Sequence, residues 1–453
     1  MDTFLARKAY AEMLGWKSRL AGKYALMVEG ARRTGKTSLL KKFSEHEYES
    51  VIFIDFSLAT KQVAASKRAF YEAQDVEDLI SRLELIHAVK LVPGKSCIVF
   101  DEVQLFPTAR GTIKSLIEYG KFHYIESGSL VGIKENVKDI LIPSEEHKMK
   151  IFPLDFEEFL DALHEQPIKE HIRVCFNARQ PLAHDIHDKA MGLFRLYMAV
   201  GGMPQSVAAY VGNPGERLEA CDAAKREILS LYEDDIGKYA KGYAVKVRDI
   251  FRAIPGALAK HEKKFHLSEI DSNARKRRYE TAFLWLSDAM VANIAYNATT
   301  PDSGLSMSLD HESFKCYLLD TGLLLTQSLS GERTTDARLV RGILHDNLGI
   351  NEGMFTENAV AQSLVASGHP LYFFSRRDRS RSDGTLEIDF ILKKGIKTCP
   401  IEVKSATYKS HISLDRFSAR YRKYLGARYV LCRSGFTCED GVTYLPLYMA
   451  HLI

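Results

Sequence analysis

The stretch from Tyr24 to Phe43 constrains this chain more than any other. A nearly continuous apolar run, YALMVEG (24–30), ends in Gly30-Ala31-Arg32-Arg33-Thr34-Gly35-Lys36-Thr37, which fits G-x-x-x-x-G-K-[ST], and the helical run TSLLKKF (37–43) follows at once. Glycines let such a loop wrap closely enough for its backbone N–H groups to hold phosphate oxygens, and the helix N-terminus adds a favourable dipole. The loop therefore demands a buried strand on one side, a helix on the other and a sheet to hold both. Its expected nucleotide contacts are Gly30, Arg32, Arg33, Thr34, Gly35, Lys36, Thr37 and Ser38. Lys36 is the candidate to reach the β and γ phosphates of ATP, and Thr37 to offer a hydroxyl to Mg²⁺.

The sheet is visible in further short apolar runs. VIFIDF (51–56), SCIVFDE (96–102), FHYIESGS (122–129) and KMKIFPL (148–154) alternate with longer amphipathic stretches, the pattern of buried parallel strands joined by helices. SCIVFDE ends in two acids. Asp101 at its tip is the candidate to hold the Mg²⁺ shell, and Glu102 to polarise the attacking water as a general base. One strand, VIFIDF, separates the loop from this acidic pair, and a Glu directly after the Asp predicts the sheet order 5-1-4-3-2. Ser127 and Ser129 close the next run and are candidates to hydrogen-bond the γ phosphate or the lytic water; a plain small-residue turn is the competing reading.

A length of 453 residues suggests about three domains. With 46% hydrophobic and 26% charged residues, the chain has apolar material for several cores, and wholesale disorder is excluded. The P-loop α/β domain is expected over 1–155. Helical spacing then takes over in FEEFLDAL, GLFRLYMAVGGMPQSVAAYV and LEACDAAKREILSLYEDDIGKY, which predicts an α-helical lid over 156–240. Three short helices followed by strand-like VANIAY and KCYLLD have the order of a winged helix, expected over 241–334. The third of these helices opens with Arg275, Lys276, Arg277 and Arg278. In a winged helix it is the one able to enter a major groove, so these four residues are the candidate contacts to DNA or RNA. The competing reading is a solvated basic turn, or one paired with acids of a neighbouring domain. Net charge does not decide between them, because 62 basic against 58 acidic side chains leave only +4.

The remainder, 335–453, returns to α/β. Asp389 closes the strand LEIDF, and Glu402 and Lys404 share one face of PIEVKS because strand side chains repeat every two residues. Asp389, Glu402 and the Val403 carbonyl are candidates to hold a second Mg²⁺, with Lys404 activating a hydroxide and Glu357, on the helical run MFTENAVAQSLVA, completing the acidic cluster. An inert sheet with a surface Glu-x-Lys pair is the alternative. The seven cysteines are scattered without a C-x-x-C pair, as expected of reduced thiols. The N-terminal MDTFLARKAYAEMLGWKSRL lacks a signal-peptide core, and no apolar run approaches a spanning length. A cytoplasmic protein without membrane contact is expected.

These residues together resemble the bacterial and archaeal AAA-family ATPases whose C-terminal half is a domain of unknown function. The resemblance rests on GARRTGKT, on FDEVQLFP with Gln104 behind the acidic pair, on the Ser-Gly-Ser turn, on IFPLDFEEFL, GGMPQSV and YLLDTGLL, and on EIDFIL with IEVKS. It spans about Arg19 to Ser434. It implies ATP binding, a winged-helix segment and a terminal domain like the restriction endonucleases of the PD-(D/E)XK type. Many relatives carry a Gly-Arg pair before the fifth strand. Here LIPSEEHKMKIF stands instead, so the resemblance supports neither an arginine finger from this position nor a ring oligomer. The expected activity is a Mg²⁺-dependent ATPase coupled to the nuclease-like region and acting on nucleic acid. Two other readings stand beside it: a nucleotide-gated scaffold for DNA or a protein partner whose terminal domain lacks chemistry, and a sequence-specific regulator working through the winged helix alone.

Overall fold

The computed structural model describes residues 5–129, 144–260, 263–266, 279–302, 304–329, 352–377, 385–405 and 411–453. They fall into two compact units, Met1–Phe152 with Asp288–Met290, and Pro153–Ser287 with Val291–Ile453.

In the first unit β1 (Ala25–Glu29), β2 (Ser50–Asp55), β3 (Ser96–Asp101), β4 (His123–Gly128) and β5 (Glu146–Lys150) form one sheet in the order β2-β3-β4-β1-β5. Every pairing in it is parallel, and read from the other edge the order is the expected 5-1-4-3-2. Alternation along β1 divides its apolar side chains between two layers. Leu26 and Val28 pack with Leu39, Leu40 and Phe43 of the helix Lys36–Glu47, and with Met13 and Trp16 of the N-terminal helix Lys8–Arg19. Ala25 and Met27 belong to the opposite layer, with Leu79 and Leu83 of the helix Val76–His87. β3 is buried along its whole length, as a central parallel strand must be. β5 starts two residues before the expected run KMKIFPL. The reason is Glu146, a charged first residue whose carboxylate is buried against Arg110 at 2.8 and 2.9 Å. Such a pairing replaces apolar character with a counter-charge.

The second unit begins with helices. Asp155 and Glu158 form a reciprocal capping box that starts the helix Phe156–Ala162, and Gln166–Ala178, His184–Val200, Pro204–Gly212 and Arg217–Tyr239 follow. The segments IFPLDFEEFL, GGMPQSV and YLLDTGLL meet at one buried junction here. The Leu154 N–H donates to the Gly202 carbonyl at 2.6 Å, Tyr197 donates to the Leu154 carbonyl at 2.7 Å, and the Gly202 N–H donates to Asp320 at 2.6 Å. Gln362 reaches both Tyr197 and Asp320. A Cβ on Gly201 would lie 2.2 Å from Asp320 Oδ1 and one on Gly202 2.1 Å from the Leu154 carbonyl oxygen, so two glycines are required for the segments to approach.

The helices Ala244–Leu258 and Glu280–Asp288 precede the antiparallel pair β6 (Ala292–Ala298) and β7 (Leu309–Leu318). Between the two helices, Lys263–His266 is not helical, and Phe265 instead donates its N–H to the Phe314 carbonyl. Arg275, Lys276, Arg277 and Arg278 lie outside the described residues. β6 also pairs in parallel with β8 (Tyr372–Arg377), giving the sheet β7-β6-β8-β9 with β9 at Thr385–Ile388. A strand ahead of residue 334 thus bonds to one beyond it, a pairing across distant sequence that leaves no local mark. β10 (Phe390–Lys394), β11 (Lys397–Val403), β12 (Arg428–Cys432), β13 (Thr437–Glu439) and β14 (Val442–Pro446) form a mixed sheet in the order β10-β11-β12-β14-β13. The helix Glu352–Ala366 precedes β8, and Ile412–Tyr421 connects β11 to β12. Among the described residues no helix is long and apolar enough to cross a membrane.

Candidate functional site

In the first unit the loop between β1 and the helix Lys36–Glu47 turns on two left-handed residues, Arg33 (φ 67°) and Gly35 (φ 87°). Gly35 is the helix N-cap and offers no side-chain hydrogen bond, which leaves the first N–H groups of the helix for an anion. Gly30 is needed for close approach, since a Cβ there would lie 2.6 Å from the Ile151 carbonyl oxygen. Lys36 is buried and folds back over the loop, donating to the carbonyls of Gly30 and Ala31, both at 2.9 Å. Burial pushes its ammonium down to about 8, against the pull of Glu102 and Asp101. Thr34 is buried and bonds the Ala31 carbonyl at 2.8 Å, Arg32 is half-buried, and Arg33 and Ser38 are exposed.

The parallel register sets the tips of neighbouring strands beside this loop. Thr37 Oγ1 donates to Asp101 Oδ2 at 2.6 Å, and Ser127, from the tip of β4, donates to Asp101 Oδ1. Burial raises the Asp101 carboxyl, with the bonds from Ser127 and Thr37 working against the rise. Glu102 follows in a left-handed conformation (φ 55°) that turns the chain sharply at the end of β3, a strained geometry for a residue with a side chain. Its Oε2 accepts from Gln104 and, at 3.2 Å, from Ser129. The two serines therefore divide their work: Ser127 holds Asp101 and Ser129 holds Glu102. A hydroxyl and a carboxylate in contact are hard oxygen donors of the kind that Mg²⁺ takes along with phosphate oxygens. One further residue joins the site without any motif to announce it. Arg7 donates to the Thr34 carbonyl at 2.8 Å and to the Phe152 carbonyl at 2.6 Å, tying the loop to the end of the unit.

In the second unit Asp389 stands where the chain passes from β9 to β10, one residue ahead of Phe390, which pairs with Ile401. Its Oδ2 accepts from the Val403 N–H at 2.8 Å. Glu402 is buried and pairs with Lys404 at 2.5 Å, while its Oε2 has no hydrogen-bond partner among the described residues. Glu357 is buried too. Its Oε1 accepts from the Tyr317 hydroxyl at 2.5 Å and from Lys315 at 3.1 Å, and its Oε2 from Lys263. Burial works to raise the Glu357 carboxyl, yet Lys315 and Lys263 together hold it at about 2. Burial and then the Glu357 charge push Asp389 up to about 6. Lys315 also reaches Glu387 at 2.9 Å and Asp389 at 3.7 Å. Lys315, Tyr317, Lys263 and Glu387 join the cluster without a motif; the trace they leave in the sequence is a lysine inside the otherwise apolar strand FKCYLLD, which needs a buried counter-charge. Among the described residues no three His, Cys, Asp or Glu side chains come together as a metal-holding group.

The first unit has the sheet order, loop and strand-tip acids of a P-loop nucleoside triphosphatase. Residues 22–160 match the family described as AAA domain, so this part of the chain is similar to AAA-type P-loop domains. Residues 191–334 match a domain of unknown function, DUF8612, and residues 352–449 another, DUF4143. No curated protein matches the chain. Among solved structures it is similar to a Walker-type ATPase of Pyrococcus abyssi, at 14% identity and a TM-score of 0.45, covering 72% of this chain and 96% of that one. It is also similar to AMPPCP-bound DnaA from Aquifex aeolicus, at 16% identity and a TM-score of 0.28, over 63% and 87% of the two chains.

Proposed function

We propose that the protein is a cytoplasmic, Mg²⁺-dependent ATPase whose nucleotide state governs a C-terminal region that engages nucleic acid. The bond between Thr37 and Asp101 at 2.6 Å, beside a buried Lys36, carries the ATPase reading. Thr37 and Asp101 would hold Mg²⁺, which when bound would neutralise phosphate charge. Lys36 exchanges the Gly30 and Ala31 carbonyls for the β and γ phosphates. Glu102, steadied by Gln104 and Ser129, takes the proton of the attacking water. Purified protein should release phosphate from ATP in Mg²⁺ and stop when EDTA removes the metal; no turnover with Mg²⁺, with or without DNA and RNA, would sink this reading.

The nucleic-acid part rests on Arg275, Lys276, Arg277 and Arg278 as phosphate-binding side chains. Neutralising two of them should weaken DNA binding at every sequence and lower the salt dependence of affinity by about one unit of slope for each phosphate left without its cation. An unchanged slope would assign them to a solvated face.

A second reading of the C-terminal region, binding without cleavage, is favoured by the ammonium and hydroxyl groups that take up both oxygens of Glu357. Cleavage of DNA or RNA in Mn²⁺ by the wild type, abolished in Lys404→Ala, would decide for the nuclease instead.

A further inference from the structure

Glu357, Glu387 and Asp389 are carboxylates of the second unit to which the chain itself supplies cations. Lys315 is almost fully buried on β7, with its Nζ 3.1 Å from Glu357, 2.9 Å from Glu387 and 3.7 Å from Asp389. The same Nζ lies 5.2 Å from the centre of the Phe373 ring, so an aromatic face closes a further side. Period two along β7 brings Tyr317 to the same carboxylate as Lys315. Lys263 takes the second oxygen of Glu357, the Val403 N–H takes one of Asp389, and Lys404 pairs with Glu402. Around Glu357, Glu387 and Asp389 two ammonium groups, Lys315 and Lys263, thus offset the carboxylate charge and take up oxygens that a divalent ion would need. Lys315 cannot step aside cheaply: its strand is bonded into a sheet, and a buried ammonium is tolerated only while its carboxylates stay beside it.

We propose that Lys315 is the resident cation of this cluster, occupying the position among Glu357, Glu387 and Asp389 that a divalent ion requires, so that the C-terminal region takes no divalent metal there. The inference deepens the binding reading of that region and does not depend on ATP turnover. The test uses the full chain free of nucleotide and Mn²⁺ as the probe, with free Mn²⁺ read by its paramagnetic signal. Wild type and Asp389→Asn should bind the same amount of Mn²⁺. Lys315→Met should gain one additional Mn²⁺ per chain, and adding Asp389→Asn to it should remove that gain. A wild type that loses bound Mn²⁺ on Asp389→Asn would overturn the proposal. So would a Lys315→Met protein that melts cooperatively and gains no Mn²⁺. Should Lys315→Met fail to fold, the comparison of wild type with Asp389→Asn decides alone. Cleavage assays test the binding reading separately, so a failure of one is told apart from a failure of the other.

Discussion

Lys36→Ala should lose ATP turnover by about 10²–10³-fold in kcat/KM, the scale on which removal of one preorganised charge-stabilising donor is felt. The ammonium is already buried at the loop and bonded to two of its carbonyls, so alanine removes both the charge awaiting the phosphates and a brace of the loop itself. Affinity should therefore fall together with turnover, measured as binding of a fluorescent ATP analogue alongside phosphate release. Turnover close to wild type would remove Lys36 from the site.

Glu102→Gln should separate the two properties. Asp101 keeps its bonds from Thr37 and Ser127, so ATP binding should survive, while loss of the base should slow hydrolysis by about 10²–10⁴-fold. Glutamine is nearly isosteric and retains an oxygen for Gln104 and Ser129, so the sharp turn at the end of β3 is expected to persist. Single-turnover measurements with ATP prebound would read the chemical step directly. Hydrolysis at the wild-type rate would show that another group takes the proton.

The difference between the two units in what their sequences disclose has a physical basis. The loop at Gly30–Thr37 and the tip Asp101–Glu102 are local: a few adjacent residues on buried strands, each with an apolar run to mark it. Parallel pairing then sets the tips side by side, and even the order of the sheet is readable from the single strand lying between loop and acids. Arg7 is invisible in the sequence because it acts across the whole unit through two backbone carbonyls, which carry no side-chain signature. Glu146 escapes the apolar pattern because its strand begins on a buried ion pair and not on an apolar side chain. In the second unit, period two puts Glu402 and Lys404 on one face, and the structure pairs them. The surroundings of Glu357 are not legible in this way, because Lys315, Tyr317 and Lys263 come from segments far away in the chain, brought together by a sheet that joins β6 and β7 to β8.

The helix Lys8–Arg19 has a practical consequence for work on the nucleotide site in isolation. The AAA match begins at residue 22, yet Met13 and Trp16 sit in the same apolar layer as the helix that follows the loop, and Arg7 holds the loop itself. A fragment trimmed to the family limits would uncover that layer, at a cost of about 1.5–3 kcal/mol for each large side chain removed, and would release the Thr34 carbonyl from its tether. An inactive fragment of that kind would report the missing residues and not the chemistry of the intact site; a useful one begins ahead of Arg7 and extends through Phe152.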